Sequence, residues 1–228
     1  MRKIISLILL IIIGIGIFLT LKEIPFGISQ KNIGDYFLQN GIKQTGAINT
    51  VTSVVVNYRG FDTLGEIVVL FTAAIGLGAI LGVFKTQPTN QNIEPSSLIV
   101  YTGCRFLFPI IFIVGIYIFI HGHLTPGGGF QGGAVIASAF LLMYLGCPSK
   151  KINRTGSKVI ESAAGLVFVG LGIAGLCLGK EFLNNFLPKG NPGSLFSAGI
   201  IPLVYIAIGL KVGSELAGII DLLIETKK

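Results

Sequence analysis

"HGHLTPGGGFQGG", residues 121–133, holds six glycines, one proline and no charged side chain. It interrupts apolar sequence: "FIVGIYIFI" precedes it and "AVIASAFLLMYLG" follows. A phosphate-binding loop would need G-x-x-x-x-G-K-[ST], with a lysine to reach the phosphates, and there is none. A dinucleotide fingerprint would follow a strand and precede an acidic residue; here it would follow part of a membrane span. What remains is backbone geometry. Glycine permits positive φ and close approach of another chain, and small residues let membrane helices touch. Pro126 fixes the start of the turn. We therefore read Pro126, Gly127, Gly128, Gly129, Phe130, Gly132 and Gly133 as a structural turn, with no nucleotide and no metal. Such backbone survives at membrane depth only when buried in protein or lining a wet cavity.

Composition agrees. Of 228 residues, 52% are hydrophobic and 12% charged, and the mean hydropathy is +0.82. A soluble domain carries about 25% charged residues, twice this share. The apolar residues fall in runs at 4–21, 64–84, 106–120, 133–146, 159–179 and 197–220. Crossing ~30 Å of hydrocarbon takes roughly 20 residues. The third run reaches that length if it starts near Leu98 and includes Arg105, which snorkels to the inner interface. The fourth needs the preceding glycines. The expected fold is an all-α membrane protein of about six transmembrane helices, with a long loop after helix one. The first run follows Met1-Arg2-Lys3 and lacks an A-x-A site, so it is expected to be an uncleaved helix.

The net charge of +7 is not a nucleic-acid patch, because the basic residues lie in loops. Arg2, Lys3, Lys85, Lys150, Lys151, Arg154, Lys158, Lys227 and Lys228 fall on one side of a six-helix topology. Lys22, Lys31, Lys43, Arg59, Lys180 and Lys189 fall on the other. The positive-inside rule then places both termini inside. Cys104, Cys147 and Cys177 match no metal or redox spacing and read as small packing residues.

Residues 85–97, "KTQPTNQNIEPSS", read as a polar linker between a two-helix part, 1–84, and a four-helix part, 98–228. In the loop 22–60, the β-branched run Val51, Val54, Val55, Val56 with Tyr58 predicts an edge strand or an amphipathic segment on the membrane surface.

Ionisable groups within spans are costly and usually functional. Asp62 and Glu66 open helix two one turn apart; they are either a charged helix start or, for Glu66, a group on an ion path. Lys211 and Glu215 share one face of the last span, as a structural pair or as part of a proton or cation path. His121 and His123 cap a helix end or relay protons. No Cys, Asp or Glu lies within ten residues of them to complete a metal shell.

"HGHLTPGGGFQGGAVIASAFLLMYLG" resembles the signature of the B subunit (MnhB/MrpB type) of Mrp/Mnh-type multisubunit Na⁺/H⁺ antiporters, over roughly residues 98–224. "INTVTSVVVNYRGFDTLGEIVVLFTAAIGLGAIL", residues 48–81, resembles the C-terminal end of the large antiporter protein of the A type, which in membrane-bound hydrogenases is a small separate subunit. Asp62 and Glu66 match that element, whereas Asn57 stands where an acidic residue is expected. The resemblance implies a non-catalytic, multi-pass subunit in a prokaryotic inner cell membrane. Its implied partners are other membrane subunits of an Mrp-type module, the lipid bilayer and the transported Na⁺ and H⁺, with no cofactor and no nucleic acid. The fusion points toward ferredoxin-driven hydrogenase or sulfane reductase complexes. A purely structural scaffold is the alternative. The glycine turn is expected on the side where helix two starts, shaping a pocket with Asp62 and Glu66 in which Glu66 exchanges a proton for a hard cation.

Overall fold

The computed structural model describes residues 2–23, 32–83, 97–147, 153–179 and 181–226. The chain forms two compact units, Met1–Asp35 and Tyr36–Lys228. The first is built on helix α1 (Arg2–Glu23), which contains the apolar stretch Leu7–Lys22. Its large side chains, Leu10 and Phe18 among them, are exposed all round, as suits a helix that lies in lipid.

The second unit opens inside α2 (Asn32–Thr45) and continues with α3 (Thr50–Thr52), α4 (Gly60–Val83), α5 (Leu98–Ile120), α6 (Gly129–Gly146), α7 (Arg154–Gly179) and α8 (Ile201–Thr226). Five helices here are long and apolar enough to cross a membrane: Gly60–Leu81, Leu98–Ile120, Gly129–Gly146, Arg154–Gly179 and Ile201–Ile224. With the shorter Leu7–Lys22 stretch, these correspond to the six expected apolar runs. The third span does start at Leu98, where the Ser97 side chain caps Val100 N. The fourth starts at Gly129, so the glycines supply its first turns. The proposed linker falls largely on residues 84–96, outside the described residues.

One expectation needs correcting. The valine-rich run 51–58 is not a strand. After α3 it forms a π-helical turn, Ser53–Tyr58, closed by Arg59 N donating to Val54 O at 2.8 Å. Asn49 caps α3 by accepting from Val51 N. Thr52, Ser53 and Val56 are buried. Packing and capping override the β preference of valine, which mostly measures fit to a half-buried surface.

Helix α8 is the hub: α4, α5, α6 and α7 all pack on it, and α5 packs on α6. Lipid tails are as apolar as leucine, so close packing rather than hydrophobicity must hold these helices together. Glycines allow that approach. A Cβ on Gly133 would stand 2.8 Å from Val212 Cβ and 2.9 Å from Gly213 N. On the α5 side, a Cβ on Gly132 would stand 2.7 Å from Gly115 O. The core joins Val56 and Ile67 to Phe168, Ile201, Val204, Ile208 and Val212. Elements from both sides of the linker thus share one core.

Candidate functional site

Lys211 and Glu215 lie one turn apart on α8, and both are buried. Lys211 Nζ donates to Glu215 Oε2 at 2.9 Å. Neighbouring helices complete the surroundings. From α7, Glu161 Oε1 lies 3.9 Å from the same ammonium. From α4, the Phe71 ring lies beneath it, 5.1 Å from Nζ to the centroid, at the range of a cation–π contact. Gly165 on α7 leaves room for the lysine stem, since a Cβ there would meet Lys211 Cδ at 3.6 Å. Glu215 Oε1 is buried and accepts no hydrogen bond. A buried charge is tolerated only when paired, and here one ammonium serves two carboxylates.

Toward the end where α7 starts and α8 finishes lies a second cluster. Tyr144 Oη donates to Asp221 Oδ1 at 2.9 Å, and Arg154 Nε donates to Oδ2 at 2.5 Å. Asp221 is buried and Arg154 half-exposed. Between the clusters, Ser157 Oγ donates to Ser214 O at 3.3 Å. A cavity of about 290 Å³ among α4, α7 and α8 connects both clusters, lined by Glu161, Glu215, Ser157, Ser214, Arg154, Lys158 and Asp221. Glu161 and Asp221 are additions to the residues that sequence reasoning singles out. Glu161 is legible in the sequence, because it stands in an apolar run just as Lys211 does. Asp221 reads as the polar end of a span until Tyr144 and Arg154 are brought to it.

The glycine stretch divides in two. Residues 121–128 turn, and Gly129, Phe130, Gly132 and Gly133 already belong to α6. Gly128 holds φ 151°, a conformation that side chains other than glycine's rarely adopt. The turn docks on the segment before α4. Asn49 Nδ2 donates to Gly122 O (2.9 Å) and Thr125 O (3.0 Å), and Thr52 Oγ1 donates to Gly122 O (2.7 Å). Tyr205 Oη on α8 donates to Thr52 Oγ1 at 2.9 Å.

The two histidines differ. His121 stacks on Tyr117, with centroids 4.1 Å apart. His123 is fully buried and neither ring nitrogen meets a hydrogen-bond partner. Burial pushes its pKa below the usual histidine range; backbone groups of Ser194, Leu195 and Ile120 near the ring oppose that shift, and His121 adds to it.

Asp62 and Glu66 stand apart from all this. Asp62 pairs with Arg59 at 2.5 Å on the surface. Glu66 is exposed on the α4 span. Among the described residues, no hydrogen bond or ion pair joins either residue to the glycine turn. At 100° per residue, α4 turns Thr63 and Ile67 to the core, which leaves positions 62 and 66 outward. Among the described residues, then, the expected pocket of turn and carboxylates has no hydrogen bond or ion pair to hold it together.

Five apolar spans around a buried charge cluster define a multi-pass all-α membrane protein. Residues 99–218 match the family model of a domain related to the MnhB subunit of Na⁺/H⁺ antiporter, and residues 1–97 match that of the MBH component MbhE. The chain belongs to the MnhB family. An uncharacterised protein of Methanocaldococcus jannaschii is 34% identical over 189 residues, 72% of each chain. A probable K⁺/H⁺ antiporter protein of Rhizobium meliloti, of the combined A/B type, is 30% identical over 168 residues. That match takes in 64% of this chain and 17% of the Rhizobium protein. Among solved structures, a chain of the membrane-bound sulfane sulfur reductase, an archaeal respiratory membrane complex, is 44% identical, with TM-score 0.79 and 97% coverage of both chains.

Proposed function

We propose that this chain is a non-catalytic membrane subunit of a cation/proton antiporter module and that it takes part in ion translocation. The observation that carries the reading is the buried Lys211–Glu215 pair with Glu161 beside it. Burying an ion pair rarely adds stability over well-packed apolar residues, and charges inside spans mark ion and proton routes. The match over 97% of a chain from a respiratory complex supports assembly in a redox-driven complex, with the redox chemistry in other subunits. The two-part organisation, 1–84 and 98–228 joined by 85–97, belongs to the same reading. So does Glu66, whose outward position on α4 is compatible with a place facing a neighbouring subunit.

The test is cation-dependent proton movement in vesicles carrying the assembled complex. Glu215→Gln and Lys211→Met are expected to abolish coupling while the complex still co-purifies. Full transport in both would leave this chain as a scaffold that bridges other subunits.

A further inference from the structure

Helices α5 and α7 both pack on α8, and among the described residues they do not touch each other. Between them runs an open groove of about 350 Å³. We infer that this groove holds one acyl chain of an anionic phospholipid, whose phosphate is bound by Arg105 and Asn153 at the end where α7 starts. Lipid binding here is independent of the translocation reading above.

The groove suits a hydrocarbon chain. Its floor is α8 from Gly209 to Ala217, one wall is Phe112 and Ile116 of α5, and the other is Gly156 and Ile160 of α7. No charged side chain lines it. Its two serine hydroxyls are satisfied by backbone carbonyls: Ser157 Oγ donates to Ser214 O at 3.3 Å, and Ser214 Oγ to Leu210 O at 2.7 Å. From Gly209 to Ala217 the helix rises about 12 Å, so the volume corresponds to a cross-section of roughly 30 Å². A helix about 10 Å across needs roughly 80 Å². The groove is thus too narrow to seat a partner helix and wide enough for one lipid tail. Left empty, its walls would forfeit their dispersion contacts, and in a bilayer the filler at hand is a lipid.

Charge selects which lipid. Arg105 precedes Phe112 by seven residues, two helical turns, and so shares its face of α5. Its neighbour Cys104 packs on Gly146, the last residue of α6, so Arg105 lies near the end where α7 starts. It is exposed and meets Tyr101, through the hydroxyl at 3.3 Å and the ring at 5.5 Å, but among the described residues no carboxylate. An arginine within a span calls for a partner. Asn153 closes the same end of the groove; its Oδ1 accepts from Gly156 N at 3.2 Å, which leaves Nδ2 to donate to a phosphate oxygen. Residues 148–158 add Lys150, Lys151, Arg154 and Lys158 and no acidic residue. Asp221, the buried carboxylate at this end, is already bound by Tyr144 and Arg154. Basic residues gather at the cytoplasmic ends of spans, where the leaflet carries anionic lipids. Phosphatidylcholine has the same phosphate, but its choline cation is repelled by these groups.

The experiment places the assembled complex in phosphatidylcholine vesicles that contain phosphatidylglycerol with a diazirine in one acyl chain. After illumination, adducts on this chain are mapped by mass spectrometry. They are expected to concentrate on Ile116, Ile160 and Leu210 in the groove, over Ile80, which is exposed on α4. Unlabelled phosphatidylglycerol should compete for the groove better than phosphatidylcholine, by about fivefold for each basic group engaged. Arg105→Gln should lower that preference about fivefold and leave the groove labelled. Gly156→Phe, where a Cβ would meet only Asn153 within 4 Å, fills the groove and should remove most of its labelling from a complex that still co-purifies. Groove labelling no stronger than that of Ile80 in the wild type, as when a neighbouring subunit covers the gap, would overturn the site. So would labelling that persists in Gly156→Phe. Equal competition by the two lipids, or a preference unaltered in Arg105→Gln, would overturn the anionic headgroup.

Discussion

Glu215 and Glu66 are both glutamates within membrane-spanning helices, yet the fold treats them in opposite ways. Glu215 is buried on α8, bound to Lys211 and flanked by α4 and α7. Glu66 is exposed on α4. The difference lies in the number of neighbours each helix has. Helix α8 is surrounded, so most of its faces point inward. Helix α4 packs chiefly on α8 and leaves its other faces open. An ionisable residue in a span therefore states a need for a partner; whether that partner lies within the chain depends on the face it occupies.

The sharpest way to break this comparison is to remove one member of the buried pair. Lys211→Met leaves two carboxylates without their cation and is expected to cost about 3–5 kcal/mol. The double change Lys211→Met with Glu215→Gln should be much closer to neutral. Thermal unfolding of the purified complex measures both, and a double variant as damaged as the sum of the singles would mean that the pair is not coupled.

Packing comes next. Gly133→Val places a branched side chain where Val212 and Gly213 already stand. Overpacking of this kind costs about 1–3 kcal/mol, so the variant should lower the yield of assembled complex. A Cβ on Gly65 would meet nothing within 4 Å, and Gly65→Ala on the open face of α4 should assemble normally. Equal damage from both would remove the distinction between the crowded and open helices.

Smaller again is the pH response of the glycine turn. The folded pKa of His123 lies below its unfolded value because burial disfavours the imidazolium. Between the two values the unfolded chain binds more protons, so stability rises with pH through that window. The contribution is complete above the ordinary histidine value of about 6.5 and is lost as pH falls through the depressed folded value. Acid should lower the melting temperature of the wild-type complex more than that of His123→Leu. An identical acid dependence would show that the turn does not sense this protonation.

The smallest effect is expected at Glu66. An exposed change away from packing features stays within about 0.5 kcal/mol, so Glu66→Gln should leave the fold of this chain unaltered even where transport falls. A melting-temperature loss like that of Glu215→Gln would show that Glu66 is buried and paired in the assembly.

Much of this is legible in the residues. The apolar runs, Lys211 with Glu215 on one helical face, and the absence of a phosphate loop all follow from local spacing. Glu161 is legible by the rule that picks out Lys211. Other features lie beyond local rules. Nothing in the valine-rich run 51–58 signals a π-helical turn, because its shape comes from the core that Val56 fills. Nothing in residue 221 signals Tyr144, which lies 77 positions away.

The sequence by itself determined that this is a helical membrane protein with charges placed inside its spans. Helix periodicity and the length of a hydrocarbon crossing are properties of short segments, so composition and spacing suffice to read them. Only the tertiary structure decided which charges meet. Glycines on α6 and α8 set how closely the helices approach, α8 takes the centre, and one ammonium comes to lie between Glu215 and Glu161 while Glu66 is turned away. In a membrane, where all apolar faces are nearly equivalent to lipid, that choice is made by close packing between helices, and close packing is not written in any one segment.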